Sequence, residues 1–165
     1  MSPATNLVVA RARTRPAPTP IAEPPASGED PAVAPPLLDL RGLSLLVVDD
    51  DALARTAVVE LLRSWGCLVH PAAGGEEAMA VAGSIRAPDL IACDFRLPGG
   101  QDAIELVARL RGAFGANVPA FLVSGDTDPD VLRAAEASGL MLLHKPVRPA
   151  RLRALIHRLA RPSPG

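Results

Sequence analysis

Six polar residues of the chain each stand at, or next to, the end of a short apolar run. Asp49, Asp50 and Asp51 follow SLLVV (44–48), Asp94 follows LIAC (90–93), Ser124 follows AFLV (120–123) and Lys145 follows MLLH (141–144). If the runs are parallel strands, these side chains meet at one edge of a sheet. Carboxylates about 4 Å apart repel by about 4 kcal/mol at an effective dielectric near 20, so such a cluster calls for a cation. A hard divalent ion with oxygen ligands meets that need, and Mg²⁺ typically takes one or two carboxylates together with water and phosphate oxygens. Asp51 is better read as the N-cap of a following helix than as a further ligand.

Lys145 is the only lysine among 17 basic side chains; the rest are arginine. Its compact charge on a flexible stem can reach a phosphoryl oxygen, where arginine would present a broad fork. Pro146 follows it and restrains the backbone there, and a cis bond is accessible at such a step. The Ser124 hydroxyl can donate to the same oxygens, and Gly125 leaves room for an incoming group.

Short apolar runs alternate with helical periodicity five times after Leu40. Strands are expected over 44–48, 67–70, 90–93, 120–123 and 141–144, with helices after Asp51 and over 76–85, 104–114, 128–137 and 148–161. The first helix should turn Ala54, Val58, Leu61, Leu62 and Trp65 inward and end at Gly66. The last should bury Leu152, Leu155, Ile156 and Leu159. Pro98-Gly99-Gly100 reads as a turn. Continuous apolar strands alternating with helices predict an α/β fold with a parallel sheet covered on both faces. Ligands of such sheets bind at the carboxyl ends of the strands.

Composition narrows the function classes. Net charge is −1, which argues against an electrostatic nucleic-acid binder. Cys67 and Cys93 are not in a CxxC pair and read as buried thiols of a reducing cytoplasm. No apolar run is long enough for a membrane span, and no signal peptide is visible. Residues 1–40 are rich in proline and alanine and read as a flexible extension. A folded domain is expected over 41–162, followed by a short tail at 163–165.

Five segments carry a resemblance: LLVVDDD (45–51), AAGGEEAM (72–79), PDLIACDFRLPGG (88–100), VSGD (123–126) and LLHKP (142–146). In this order, over roughly 41–161, they resemble the receiver domain of two-component response regulators. LLHKPVRPARLRALI (142–156) is most similar to receivers appended to hybrid sensor histidine kinases. The resemblance implies a flavodoxin-like doubly wound (βα)5 fold with strand order 2-1-3-4-5. It implies that Asp94 is the phosphoacceptor, Asp50 a direct Mg²⁺ ligand, Asp49 a ligand through water and the Arg96 backbone carbonyl a further ligand. Ser124 and Lys145 would contact the phosphoryl group. It also implies a histidine kinase or histidine phosphotransfer protein as partner, and a homodimer through the face of the fourth helix, fifth strand and fifth helix. Three departures accompany it. The turn after Pro98 is one residue longer than usual, with Ala103 where glycine is common. Leu142 replaces a common aromatic, which weakens any aromatic-coupled switch at Ser124. The chain stops soon after the fifth helix, so no output domain is expected.

Other readings compete. Asp49-x-Asp51 superficially matches the nucleophile motif of haloacid-dehalogenase-type phosphatases, but Leu53 and the lack of a later acidic pair speak against it. A non-phosphorylated interaction module is a second alternative. The basic last helix, with Arg148, Arg151, Arg153, Arg158 and Arg161, is better read as a solvated face or protein interface than as a nucleic-acid surface. His157 on that helix, like His70 and His144, is not read as a catalytic residue.

Overall fold

The structure is a computed structural model that describes residues 39–125 and 128–160. The expected extension (all but its last two residues), Asp126, Arg161 and the tail lie outside the described residues.

Five strands form one parallel sheet: β1 (Ser44–Val48), β2 (Leu68–Ala72), β3 (Leu90–Asp94), β4 (Ala120–Ser124) and β5 (Met141–His144), in the order β2-β1-β3-β4-β5. Between and after them run α1 (Ala52–Ser64), α2 (Gly75–Ala82), α3 (Ala103–Phe114), α4 (Pro129–Ser138) and α5 (Pro149–Ala160). This is the flavodoxin-like doubly wound arrangement. Strand residues alternate between two apolar layers. Leu46, Val48, Ile91, Cys93 and Leu122 pack towards α2, α3 and α4, while Leu45, Val47, Ala92, Phe121 and Leu143 pack towards α1 and α5. Both faces are buried, which is why the strands read as unbroken apolar runs rather than as alternating ones.

Several boundaries differ from the sequence expectation, each for a local reason. β2 starts at Leu68 and continues through Pro71 to Ala72. β2 is an edge strand paired only with β1, so a residue without an N–H is tolerated there. In α1 the fully buried residues are Val59 and Leu62, whereas Ala54, Val58 and Leu61 are half-buried. Trp65, the C-cap, is half-buried too and packs against the same apolar layer as Val58 and Leu61, and Gly66 after it has a φ of 87°. A side chain at Gly66 would also run into Arg41. α2 stops at Ala82, because Gly83 caps it and the Ser84 hydroxyl turns back to the carbonyls of Ala80 and Val81. α3 starts one residue early, at the buried Ala103, because Asp102 caps it through Ile104 N–H and Glu105 N–H. Before it, Gly99 and Gly100 both take positive φ in the extended turn.

Asp51 does cap α1: its carboxylate accepts from Leu53 N–H at 3.0 Å and Ala54 N–H at 3.3 Å. Asp51→Ala should therefore lower stability by about 1 kcal/mol, read as a shift in the urea midpoint at unchanged slope.

Candidate functional site

Register brings the polar strand ends together. Val48, the last residue of β1, pairs with Ala72 of β2 and Cys93 of β3, so Asp49 and Asp94 come next at one level. Asp94 pairs with Val123, so Ser124 lies one step further along β4. Ser124 pairs with His144, and Lys145 N–H donates to the Ser124 carbonyl at 2.9 Å. The Lys145–Pro146 bond is cis.

Lys145 reaches across the sheet edge to both buried acids. Its Nζ lies 3.4 Å from Asp49 Oδ2 and 3.3 Å from Asp94 Oδ2. The other carboxylate oxygens accept from the backbone: Asp49 Oδ1 from Asp51 N–H at 3.0 Å, and Asp94 Oδ1 from Arg96 N–H at 3.3 Å. Asp49 and Asp94 are each 6% exposed and Ser124 0%, whereas Asp50 is open to solvent. Arg96 stands at the same rim, joined by an antiparallel bridge to Asp102, with its guanidinium 5.8 Å from the centre of the Phe95 ring. Leu142 packs half-buried against the α2–α3 layer.

Beside the acids a cavity of about 470 Å³ opens between α1 and α5. Its walls include Ala54, Ala57, Val58, Val147 and Leu152, and Asp49, Asp94 and Lys145 reach it from the sheet edge. This apolar wall explains the titration of the site. Burial, then the charge of Asp49, pushes the Asp94 carboxyl up to about 6, against the pull of Lys145. Burial alone would lower Lys145, but the charges of Asp94 and Asp49 outweigh it and raise its pKa. Cys93 is pushed up to about 12 by burial and by the same two acids, so it stays a neutral thiol. One ammonium therefore serves two buried carboxylates and leaves the site short of positive charge.

Oxygen atoms of Asp49, Asp50 and Asp94 all lie within 4.8 Å of one another. Two oxygens on one Mg²⁺ can be at most about 4.2 Å apart, twice the usual bond length. The cluster thus fits a small hard cation, with room for water to relay one of the carboxylates. Of the expected oxygen donors, the carboxylates of Asp49, Asp50 and Asp94 cluster here, and register puts Ser124 at the end of the neighbouring strand. What the sequence reading missed is Arg55, whose guanidinium also enters the acidic loop. A cation in the first turn of a helix, just after three acids, was the signal for it.

Linkage gives a sign to the Asp94 shift. A carboxyl whose folded pKa is raised holds its proton longer folded than unfolded, so its contribution is lost as pH rises from near 4 through 6. Without divalent ions, Asp94→Asn should be more stable than wild type above pH 6, by roughly 1–2 kcal/mol after solvent screening. The difference should vanish near pH 4, in paired urea titrations.

A family model described as the response regulator receiver domain matches residues 45–157. The positive alginate biosynthesis regulatory protein of Pseudomonas aeruginosa is 32% identical over 124 residues, which span 73% of this chain and 48% of that protein. The sensor histidine kinase AruS of the same species is 35% identical over 123 residues, 72% of this chain and 12% of the kinase. The solved structure of the chemotaxis protein CheY4 of Vibrio cholerae superposes with a TM-score of 0.63 at 29% identity, covering 72% of this chain and 98% of that one. The chain spans about half the length of the regulator it matches.

Proposed function

Since the chain belongs to the response regulator receiver family, we propose that it takes a phosphoryl group from a phosphohistidine onto Asp94 and signals through protein contacts. The observation that carries this reading is Lys145 Nζ held 3.3 Å from Asp94 Oδ2 in a largely buried site where one ammonium faces two carboxylates. A carboxylate oxygen of Asp94 forms the bond to phosphorus as the P–N bond to the donor imidazole breaks, and that electron pair leaves with the imidazole nitrogen. Little covalent assistance is needed, so positioning and charge stabilisation dominate. Lys145 donates to an equatorial oxygen, and the Ser124 hydroxyl to another. Mg²⁺ is the proposed cofactor, held by Asp50, by the Arg96 carbonyl, by Asp94 and through water by Asp49, and it supplies neutralisation of the phosphoryl oxygens.

The proposed partner is a histidine kinase or histidine phosphotransfer protein. The match to part of a sensor kinase supports that class and is consistent with a receiver of hybrid-kinase ancestry. Leu53, 84% exposed on the first turn of α1, adds an apolar contact for a protein beside the acids. We place the chain in the cytoplasm; no described helix is long and apolar enough to cross a membrane. The α4–β5–α5 face, with exposed Leu132, Arg148, Arg151 and Arg158, is the proposed surface for a homodimer rather than for nucleic acid. Domain limits of 41–162 follow the family reading. The chain acts as a phosphoacceptor rather than as an enzyme with a separate substrate.

Transfer of label from a phosphorylated histidine kinase tests this. Wild type should be labelled in the presence of Mg²⁺ and not after chelation. Asp94→Asn should take up no label, and Lys145→Gln should slow transfer by about 10²-fold. Label retained on the Asp94→Asn protein would refute the assignment.

A further inference from the structure

Asp50 poses a problem of positioning. It is the exposed member of the acid cluster, and its carboxylate has no hydrogen-bond or ion-pair partner among the described residues. Its neighbours are tightly held. Asp49 N–H donates to the Ala72 carbonyl at 3.0 Å, and both Asp49 carboxylate oxygens are engaged. The chain leaves the sheet at this point, so the Asp49 carbonyl has no strand partner. Arg55 supplies one: its Nη1 donates to Asp49 O at 2.7 Å. The backbone N–H of the same residue donates to Asp51 O at 2.8 Å. That backbone bond is the ordinary first bond of α1, whereas the Arg55 side chain ties down the peptide on the N-terminal side of Asp50.

Peptide planarity makes the side-chain contact consequential. The Asp49 carbonyl lies in one plane with the Asp50 nitrogen and Cα. Fixing that oxygen fixes the axis of the Asp50 N–Cα bond, and the Asp51 N–H held by Asp49 Oδ1 at 3.0 Å restrains the rotation about it that sets the side-chain direction. Arg55 is half-buried on the first turn of α1, where its charge opposes the helix dipole. The helix gains nothing from a cation at this position, so the contact to the loop is the role that accounts for it.

We infer that Arg55 is a positioning residue for the divalent-cation site, holding the Asp49–Asp50 peptide so that Asp50 faces the other carboxylates. The inference rests on the cation reading of the preceding section. Two effects of Arg55 on a cation have opposite signs. Its charge repels the ion, and its hydrogen bond preorganises a ligand. The inference is that preorganisation dominates.

Mn²⁺ binding to the full chain, followed by electron paramagnetic resonance and competed with Mg²⁺, decides the matter without any phosphotransfer. Arg55→Met keeps an apolar stem but removes donor and charge, and should weaken both ions by about tenfold, the lower end for outer-shell partners. Arg55→Lys should recover part of that loss. The urea midpoint without divalent ions should move little. With a kinase, the Mg²⁺ concentration for half-maximal transfer should rise in Arg55→Met while the limiting rate stays near wild type. Unchanged or tighter binding by Arg55→Met would overturn the inference. If that variant does not fold, Arg55→Gln, too short to reach the carbonyl, carries the same expectation and the same refutation. Failure of wild type to bind either ion would instead refute the cation reading itself.

Discussion

Repulsion between carboxylates that the fold forces together is the constraint on which the site depends. Asp49 and Asp94 are both nearly buried and both face the same ammonium, that of Lys145. One positive charge faces two buried acids; burial first, and then the charge of Asp49, raise the Asp94 pKa against the pull of that ammonium. A surface carboxylate in the same company would turn into solvent. These cannot, because β1 and β3 are adjacent central strands covered on both faces. The sheet holds the acids in place and so creates a site with a standing demand for positive charge.

That demand links fold to function. A divalent cation would exchange repulsion for attraction there, in a setting of lowered dielectric. Apolar side chains of α1 and α5 line one side of the cluster. Lys145 holds its place because its own N–H is pinned to the Ser124 carbonyl at the end of β4. Fold energy and site energy are therefore opposed at Asp94, as is common where a protein keeps charges close for chemistry.

Most of this was legible in the chain because strands buried on both faces are apolar without interruption. Their ends show as abrupt changes to Asp, Ser or Lys, and the five-fold alternation fixes which edge they share. β5 was read to the residue, and β1 likewise. The errors arose where local chemistry outweighs periodicity. β2 was expected to end at His70, yet it runs through Pro71, which an edge strand accepts. Trp65 does pack against the α1–α5 layer, but periodicity could not show that it is also the C-cap of α1 and lies under the Arg153 guanidinium 5.1 Å away. Val59 was passed over because the apolar stripe of α1 is wide enough to fit two phases. Arg55 escaped notice although a cation in the first turn after three acids marked it, and its partner is a backbone oxygen rather than one of those acids.

The central claim is that Asp94, and not its neighbours Asp49 or Asp50, forms the bond to phosphorus. Borohydride reduces an acyl phosphate and converts the aspartate that carried it to homoserine. The wild-type chain, incubated with Mg²⁺ and a small phosphodonor such as acetyl phosphate and then reduced, can be mapped by peptide mass spectrometry. The account predicts homoserine at position 94 alone, dependent on the divalent ion. Homoserine at position 49 or 50, or none at 94 under conditions where the donor is consumed, would contradict it.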